Sequence, residues 1–217
     1  MATWIAHLRI AENILNEIEN LDVSAFAAGN IAPDSGVPNG DWSSFDPPGS
    51  ITHWKNSEGR IEADAFFKKY VAVEPAASDD EFSFLLGYYV HLLADIEWER
   101  FYRTKWEEPL HKKLRSEDPG YIWRVKEDWY GQDFDYLKEN EHSIFFTCFQ
   151  HITEVKDYLD YFPKGAFNKR FRYIREMYQE HYREPQKEYI YLPREEMDRY
   201  VSLASANILS NIRDKGF

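Results

Sequence analysis

The clearest helical pattern in the sequence is the stretch Gly87-Tyr88-Tyr89-Val90-His91-Leu92-Leu93-Ala94-Asp95-Ile96-Glu97-Trp98. Apolar side chains occupy nearly every side of a helix drawn through it, which predicts a buried central helix beginning near Ser78. His91 and Asp95 are four residues apart, so their side chains share one face of that helix. Because ionisable groups in an apolar environment are costly unless they pair or bind a metal ion, the stretch predicts a buried His–Asp hydrogen bond or part of a metal site.

Amphipathic helices are predicted on both sides of this stretch. The segment 3–19 has apolar residues at three- and four-residue spacings and Thr3 as its cap, and a short helix is expected over 60–72. Further helices are expected near 107–115, 120–130, 141–160, 165–184 and 194–213. Since no stretch keeps the alternation that strands need, we predict an all-α, multi-helix fold. Residues 1–217 are expected to form a single helical metal-binding domain.

A long segment between the first helices, residues 29–59, is rich in proline and glycine and is predicted to be an irregular loop. Loops of this length are usually functional or disordered. Three aromatic residues within it, Trp42, Phe45 and Trp54, favour an ordered loop that packs onto the helical body.

Composition excludes several classes of protein. The chain is 43% hydrophobic and 17% aromatic, which is too apolar for a disordered protein, and its formal net charge is −12. No run of Lys or Arg could release counterions from long nucleic acids, and stable association with an anionic membrane is not expected. A negatively charged substrate would therefore have to be neutralised locally, by a metal ion or a buried arginine.

The compartment is predicted to be the cytoplasm. Cys148, the single cysteine, cannot form an internal disulfide, and it lies in an apolar run that predicts a buried thiol. The N-terminal segment has acidic residues within an amphipathic pattern rather than the apolar block of a secretory signal. No window reaches the roughly 18 apolar residues of a membrane span.

The other ligand-type residues with unusual surroundings fall in these same segments. His7 lies on the more apolar side of the first predicted helix, whereas Asp34 and His53 lie in the loop between hydrophobic neighbours. Together with His91 and Asp95 they complete a set of imidazoles and carboxylates that suits zinc. His111 and His181 lie among charged residues and are predicted to be solvated.

Four segments of the chain resemble the zinc-dependent phospholipase C family, which is related to the fungal single-strand nucleases. They are the runs 7–11 (His-Leu-Arg-Ile-Ala), 29–36 (Gly-Asn-Ile-Ala-Pro-Asp-Ser-Gly), 52–54 (Thr-His-Trp) and 84–95. The resemblance covers residues 4 to 100 and keeps the order His, Asp, His, then His-x-x-x-Asp. It implies a helical fold with a clustered zinc site.

The resemblance also implies roles for individual residues. His53, His91 and Asp95, with Asp34, would hold one zinc ion, and His7 with Asp95 would form part of a neighbouring site. Asp34 could alternatively orient the water that attacks phosphorus, as a general base. Metal-bound water reaches a pKa near 7, so the implied reaction is attack by a metal-bound hydroxide.

The sequence departs from the family pattern in two places. Secreted members use the N-terminal amine of a tryptophan as a ligand, and Trp4 is too close to His7 in the sequence to be its counterpart. They also have a further His and a His-x-x-x-Glu, whereas no His lies between Asp95 and His111. We therefore expect one or two zinc ions. The candidate replacements in the predicted helix 141–160 are His142, His151 and Glu154.

Arg9 and Tyr88 are weaker candidates for a substrate pocket, because Arg9 could bind a phosphate oxygen and Tyr88 could lie near the metal. The leading hypothesis is a metal-dependent hydrolase of phosphoric ester bonds that acts on a small soluble phosphate ester. A second hypothesis is a non-catalytic helical protein with a structural or remnant metal site. A third, a phosphohydrolase of the His-Asp helical type, is weakened because His91 and Asp95 are separated rather than adjacent.

Overall fold

The predicted central helix is the longest element of the fold. The computed structural model describes residues 1–73, 78–180 and 188–217. Its α-helices are α1 (Trp4–Leu15), α2 (Val23–Ile31), α3 (Gly49–Thr52), α4 (Ala63–Phe66), α5 (Asp79–Trp106), α6 (Pro109–Glu117), α7 (Tyr121–Glu139), α8 (Ile144–Thr147), α9 (Ala166–Glu180) and α10 (Arg194–Asp214). The strands β1 (Val37–Pro38) and β2 (Phe45–Asp46) pair antiparallel, with Val37 opposite Asp46. The all-α prediction is confirmed.

Helix α5 forms the centre of the core. It contacts α1, α2, α4, α6 and α10, and its middle part from Phe84 to Asp95 is buried almost throughout. Helix α2 approaches α5 most closely, because glycines lie at the crossing. A Cβ atom on Gly29 would stand 1.9 Å from the carbonyl oxygen of Phe84, and one on Gly87 would stand 2.2 Å from that of Phe26. The backbones of α2 and α5 are therefore in direct contact at this crossing, which lies next to the segments that carry the ligand-type residues.

Most predicted helices are confirmed, with shifted ends. Thr3 caps α1 as expected, since its hydroxyl accepts a hydrogen bond from the Ala6 amide. Ser78 does precede the central helix, but its hydroxyl donates to the Asp80 carboxylate and accepts no hydrogen bond from the helix backbone. The central helix continues to Trp106, eight residues beyond the expected end, because Trp98 and Tyr102 still face the core. The helix predicted over 165–184 extends past the end of α9, and its last four residues lie outside the described residues.

The predicted helix over 141–160 is wrong. Only the short α8 and a 3-10 turn, Phe149–His151, form there, and residues 152–159 have no regular structure. Side chains of α9 satisfy the backbone of this segment instead: Asn168 pairs with both backbone groups of Val155, and Arg175 donates to the carbonyl of Ile152. Side chain to backbone hydrogen bonds of this kind compete with a helix.

The loop predicted over 29–59 begins later than expected, because α2 continues to Ile31 and a 3-10 turn, Ala32–Asp34, follows it. The remainder holds β1, β2 and α3, so the segment is ordered. Trp54 packs against Phe66 and Tyr70 as expected. Trp42 and Phe45 stay 47% and 39% exposed, but both pack onto α9: the ring of Trp42 lies 5.1 Å from that of Tyr173, and Arg170 lies against both rings. Within the described ranges, no helix has the length and apolar character needed to cross a bilayer.

Candidate metal centre

Five side chains predicted as metal ligands come together beside α5. His7 comes from α1, Asp34 from the end of the 3-10 turn after α2, and His53 from the residue that follows α3; His91 and Asp95 lie on α5. The three imidazoles and the Asp95 carboxylate are buried, with side-chain exposures of 3% or less. Residues up to 88 positions apart in the chain thus meet at one point inside the protein.

Four ligand atoms surround a common centre. His53 Nε2 lies 3.3 Å from His91 Nε2, 3.4 Å from Asp34 Oδ1 and 3.5 Å from Asp95 Oδ2. His91 Nε2 lies 3.6 Å from the same Asp95 oxygen. A tetrahedral zinc ion with bonds of about 2.0–2.1 Å separates its ligand atoms by about 3.3–3.4 Å. His53, His91 and Asp95 therefore suit three positions of a tetrahedral ion, and Asp34 lies beside His53 as a candidate for the fourth.

Neighbouring groups fix the orientation of these ligands. His91 Nδ1 lies 2.7 Å from the carbonyl oxygen of Asn30, so this nitrogen carries the proton and Nε2 presents its lone pair to the centre. His53 Nδ1 is 2.9 Å from the hydroxyl of Thr52. The indole of Trp4 donates to Asp34 Oδ2 at 2.9 Å, which leaves Oδ1 directed toward His53.

A second group of ligand atoms lies on the other side of Asp95. The ring of His7 stacks on that of His91 at 3.9 Å between centroids, and His7 Nε2 is 3.4 Å from Asp95 Oδ1. The same oxygen accepts a hydrogen bond from the backbone nitrogen of Ala2 at 3.2 Å. Both ring nitrogens of His7 and the Asp95 Oδ2 atom are enclosed and make no hydrogen bond. Buried polar atoms without a partner are costly, and a cation bound on this side would give one nitrogen of His7 a partner.

The pKa shifts of His7, Asp34 and Asp95 suit cation binding, whereas the pKa of His91 is raised, because its interactions with Asp95 and Asp34 outweigh the effect of burial. Burial, together with the nearby His91, lowers the pKa of His7 to about 4, so its imidazole is neutral at pH 7. Burial alone would raise the pKa of Asp95, but the N-terminal amino group and the imidazoles of His7 and His91 lower it well below its usual value. The pKa of Asp34 is likewise lowered, because its hydrogen bond with His53 and the adjacent imidazoles outweigh burial. Deprotonated ligands are the forms that bind metal.

The centre opens onto a cavity of about 1080 Å³ that Asp34, His53 and Asp95 help to line. Pockets for small molecules commonly have volumes of about 300–1000 Å³. Much of its wall is aromatic, including Trp42, Trp98, Trp106, Trp123, Trp129 and Tyr173. His7 and His91 are not part of the wall and lie behind the other three ligand-type residues.

Two residues predicted to line a substrate pocket do not do so. The buried hydroxyl of Tyr88 donates to the carbonyl of Thr52 and accepts from Tyr161 at 3.1 Å, so it supports the residue next to His53. Arg9 pairs with Asp198 at 2.6 Å and lies over the ring of Tyr136. Neither residue contributes to the cavity wall, because α5 buries one and a carboxylate on α10 holds the other.

The predicted replacement ligands are not gathered at the centre. His142, His151 and Glu154 are exposed, and none of them belongs to a cluster of three ligand-type side chains within the described ranges. The three-residue spacing of His151 and Glu154 places them on one face only in a helix, and that helix is absent. His111, predicted to be solvated, is instead buried and pairs with the carbonyl of Tyr191. His181 lies outside the described residues.

Two residues near the centre were not predicted from the sequence. Arg170 lines the cavity from α9, and Asp133 of α7 is buried beneath the N-terminus of α1. The sequence does contain a signal for Arg170. It stands three residues after Phe167 and four before Ile174, on the apolar face of its helix. A charged residue at such a position is unusual and indicates a buried role.

Asp133 is expected to make stability depend on pH. Burial raises its pKa to about 7, although hydroxyl groups of Thr3 and Tyr178 each donate to it at 2.6 Å. Above the usual aspartate pKa of about 3.9 the unfolded chain loses this proton while the folded protein keeps it until about pH 7, so its contribution to stability falls across that window. We expect Asp133→Asn to gain roughly 2–3 kcal/mol relative to the unchanged protein between about pH 5 and pH 8.

Urea unfolding at several pH values measures this difference. Asp135→Asn on the same helix is the matched control, because Asp135 is partly exposed. Parallel stability curves for Asp133→Asn and the unchanged protein would contradict the assignment.

Comparisons with known proteins agree with this geometry in one respect. A search of the curated proteins and a search of the solved structures find no match to the chain. The family model described as zinc dependent phospholipase C matches residues 6–98, a range that contains all five predicted ligands. The resemblance to the zinc-dependent phospholipase C family that the sequence indicates is therefore confirmed over this N-terminal part of the chain.

Proposed function

We propose that this protein is a zinc-dependent hydrolase of phosphoric ester bonds that works as a single domain spanning residues 1–217. One or two zinc ions would be held by His7, Asp34, His53, His91 and Asp95. A cytoplasmic location, predicted from the sequence, is part of this proposal.

One observation carries the proposal. Ligand atoms of His53, His91 and Asp95 lie at separations that suit a tetrahedral ion, and the group stands beside a cavity large enough for a substrate. A buried His–Asp hydrogen bond, the simpler hypothesis for His91 and Asp95, would leave no reason for a third imidazole and a second carboxylate to converge there. It would also leave His7 without a partner.

Bound zinc would supply Lewis acidity toward a phosphoryl oxygen and would acidify a coordinated water. The protein's own residues would complete the chemistry. Asp34 remains ionised because its pKa is lowered, so its carboxylate can accept a hydrogen bond from the attacking water and orient it. Its low pKa favours orientation over strong proton abstraction, since a base works best with a pKa near the operating pH. The aromatic wall would limit access of bulk water.

The substrate is proposed to be a small soluble phosphodiester. The family name refers to phospholipid hydrolysis, so a lipid phosphodiester must be compared directly with a soluble one. A protein with a net charge of −12 is poorly suited to a strongly anionic lipid surface, which favours the soluble class.

A second candidate function is a structural metal site without turnover. Four protein ligands, Asp34, His53, His91 and Asp95, can complete a tetrahedron, and structural zinc sites are closed in this way. In the catalytic case Asp34 would leave a coordination position to water and act from outside it. The catalytic and structural alternatives differ in whether the metal-loaded protein hydrolyses a phosphodiester.

The test combines elemental analysis of the purified protein with two hydrolysis assays. One assay uses bis(4-nitrophenyl) phosphate and the other uses a short-chain phosphatidylcholine. Hydrolysis that is lost on chelation and restored by zinc would support the proposal. A full complement of zinc with no hydrolysis of either substrate would favour the structural site.

His7→Ala is expected to remove one metal equivalent and to leave another in place. His7 contacts only the Oδ1 side of Asp95, whereas His53 and His91 face Oδ2, so the two groups of ligands can separate. Paired ions bridged by a carboxylate stand about 3.5–4 Å apart. Zinc content per chain, measured by mass spectrometry of the metal, gives the result. Loss of all zinc from His7→Ala, or three ions in the unchanged protein, would show that the division between the two groups is wrong.

A further inference from the structure

Three positively charged side chains line the cavity and have no carboxylate within ion-pair distance in the described part of the chain: Lys55, Lys126 and Arg170. Lys55 is exposed to solvent, whereas Lys126 on α7 is partly buried and Arg170 on α9 is buried, so the charge of the last two is the more costly to leave unpaired. In a protein with 38 acidic and 26 basic residues, most buried cations find an acidic partner. Lys105, for example, is buried and pairs with both Glu108 and Glu196.

Arg170 is held in place without being neutralised. Its side chain is 7% exposed, and one terminal nitrogen donates to the carbonyl oxygen of Gly36 at 2.8 Å. The guanidinium lies 5.6–5.7 Å from the ring centroids of Trp42, Phe45 and Tyr173. Rings and a carbonyl orient the group, but they do not offset the cost of burying its charge. A guanidinium fixed in this way is preorganised to bind an anion.

Lys126 has a similar environment. It is partly buried, and its ammonium group lies 5.0 Å from the ring centroid of Trp123. Burial lowers its pKa, and the Asp34 carboxylate raises it, so Lys126 lies within electrostatic reach of the proposed metal centre. The same carboxylate opposes the effect of burial on the pKa of Arg170. Both cations line the same cavity as Asp34.

The carboxylates of the cavity wall are already engaged. Asp34 and Asp95 belong to the proposed metal centre, and Glu99 pairs with Arg103 at 3.2 Å. A substrate with a positively charged head group would find aromatic rings in this cavity but no free carboxylate among its described lining residues. An anionic substrate would find two buried or partly buried cations, Arg170 and Lys126, and the exposed Lys55, none of them in an ion pair.

We propose that Arg170 and Lys126 bind an anionic group of the substrate while the aromatic wall holds a flat apolar part. This inference rests on the proposed function and narrows its substrate class. The class is that of phosphate esters with a net negative charge and an aromatic ring, as opposed to zwitterionic esters with an ammonium group. The two cations supply locally the neutralisation that the acidic protein as a whole cannot provide.

Two probes with the same ring test this proposal. Naphthalene-2-sulfonate is an anion that coordinates zinc weakly, and naphthyl-trimethylammonium is its cationic counterpart. Titration calorimetry on the purified full-length protein, in its metal-loaded form, should show the sulfonate binding at least about tenfold more tightly. Lys126→Met and Arg170→Met should each weaken sulfonate binding by roughly tenfold and leave the ammonium probe unchanged.

Three variants sharpen the comparison. Lys126→Glu should reverse the preference between the probes. Arg100→Met removes a cation of α5 that pairs with Glu97 outside the cavity, so it is the matched control and should change neither dissociation constant by more than about twofold. If Arg170→Met fails to fold, Arg170→Lys, which keeps the positive charge, is measured in its place. Lys126→Met tests the proposal without any change at Arg170.

Equal affinities for the two probes, or unchanged sulfonate binding in Lys126→Met, would overturn the proposal. Zinc content and diester hydrolysis are measured separately from probe binding. A failure of this inference can therefore be distinguished from a failure of the proposed function. A protein that holds zinc and hydrolyses diesters without distinguishing the probes contradicts this inference alone. One that distinguishes the probes but hydrolyses neither diester substrate contradicts the proposed function alone.

Discussion

Replacing His91 or Asp95 by alanine is expected to abolish tight zinc binding and to reduce any phosphodiester hydrolysis by more than about 100-fold. Within the described residues, His91 belongs to each group of three ligand-type side chains that could hold an ion, and its free Nε2 faces the centre formed with His53 and Asp95 Oδ2. Asp95 offers one oxygen to each side. No other pair of substitutions should affect the centre as strongly.

Stability should fall together with metal content. A ligand present at about 1000 times its dissociation constant stabilises the native state by about 4 kcal/mol, which corresponds to roughly 10 °C in melting temperature for a chain of this size. Chelation of the unchanged protein should lower the melting temperature by a similar amount. The melting temperatures of His91→Ala and Asp95→Ala should not respond to chelator, and this comparison separates loss of metal from loss of packing.

His142→Ala is the matched control for a surface imidazole. It should leave zinc content and melting temperature unchanged, because His142 is exposed and lies in no ligand cluster of the described residues. Unchanged zinc content in both His91→Ala and Asp95→Ala would contradict the proposed site, and loss of zinc from His142→Ala would restore it as a ligand.

The sequence was sufficient to predict the central helix and the residues that now stand together beside it. That success depended on local patterns: an apolar helix with two ionisable residues at a four-residue spacing, and a breaker-rich segment containing Asp34 and His53. The order of these residues matched a family pattern, which replaced the missing information about contacts over long distances in the chain. The distances between ligand atoms could be obtained only from the structure.

The failures have a common physical origin in contacts between distant segments. Helix α2 was missed because Ala27, Ala28 and their neighbours are apolar on all sides and show no periodicity. The helix predicted over 141–160 was wrong because Asn168 and Arg175, on another helix, satisfy its backbone. Arg9 was predicted as a phosphate ligand and Arg170 was not, because the role of Arg170 depends on a cavity formed by several separate elements. Local propensity cannot report such partners.

Gly29→Ala is expected to destabilise the protein by about 3 kcal/mol or more, although glycine inside a helix normally costs about 0.5–1 kcal/mol relative to alanine. The added Cβ would stand 1.9 Å from the carbonyl oxygen of Phe84, and this atom belongs to the backbone of α5, so α2 must move away. The steric cost therefore outweighs the gain in helix propensity. Movement of α2 would also shift the carbonyl of Asn30, which orients His91, and zinc affinity should fall by roughly tenfold.

Urea unfolding and a competition assay with a zinc chelator measure the two effects of Gly29→Ala. Gly40→Ala is the control, since a Cβ at Gly40 would meet no atom within 4 Å. Gly87→Ala, which faces the carbonyl of Phe26 from the other helix, should resemble Gly29→Ala in stability. A Gly29→Ala protein as stable as Gly40→Ala would mean that the two helices do not cross in contact. Asn30, whose carbonyl orients His91, and the proposed ligand Asp34 both follow Gly29 closely in the chain. If α2 and α5 did not touch at Gly29, some other contact would have to hold Asn30 against His91.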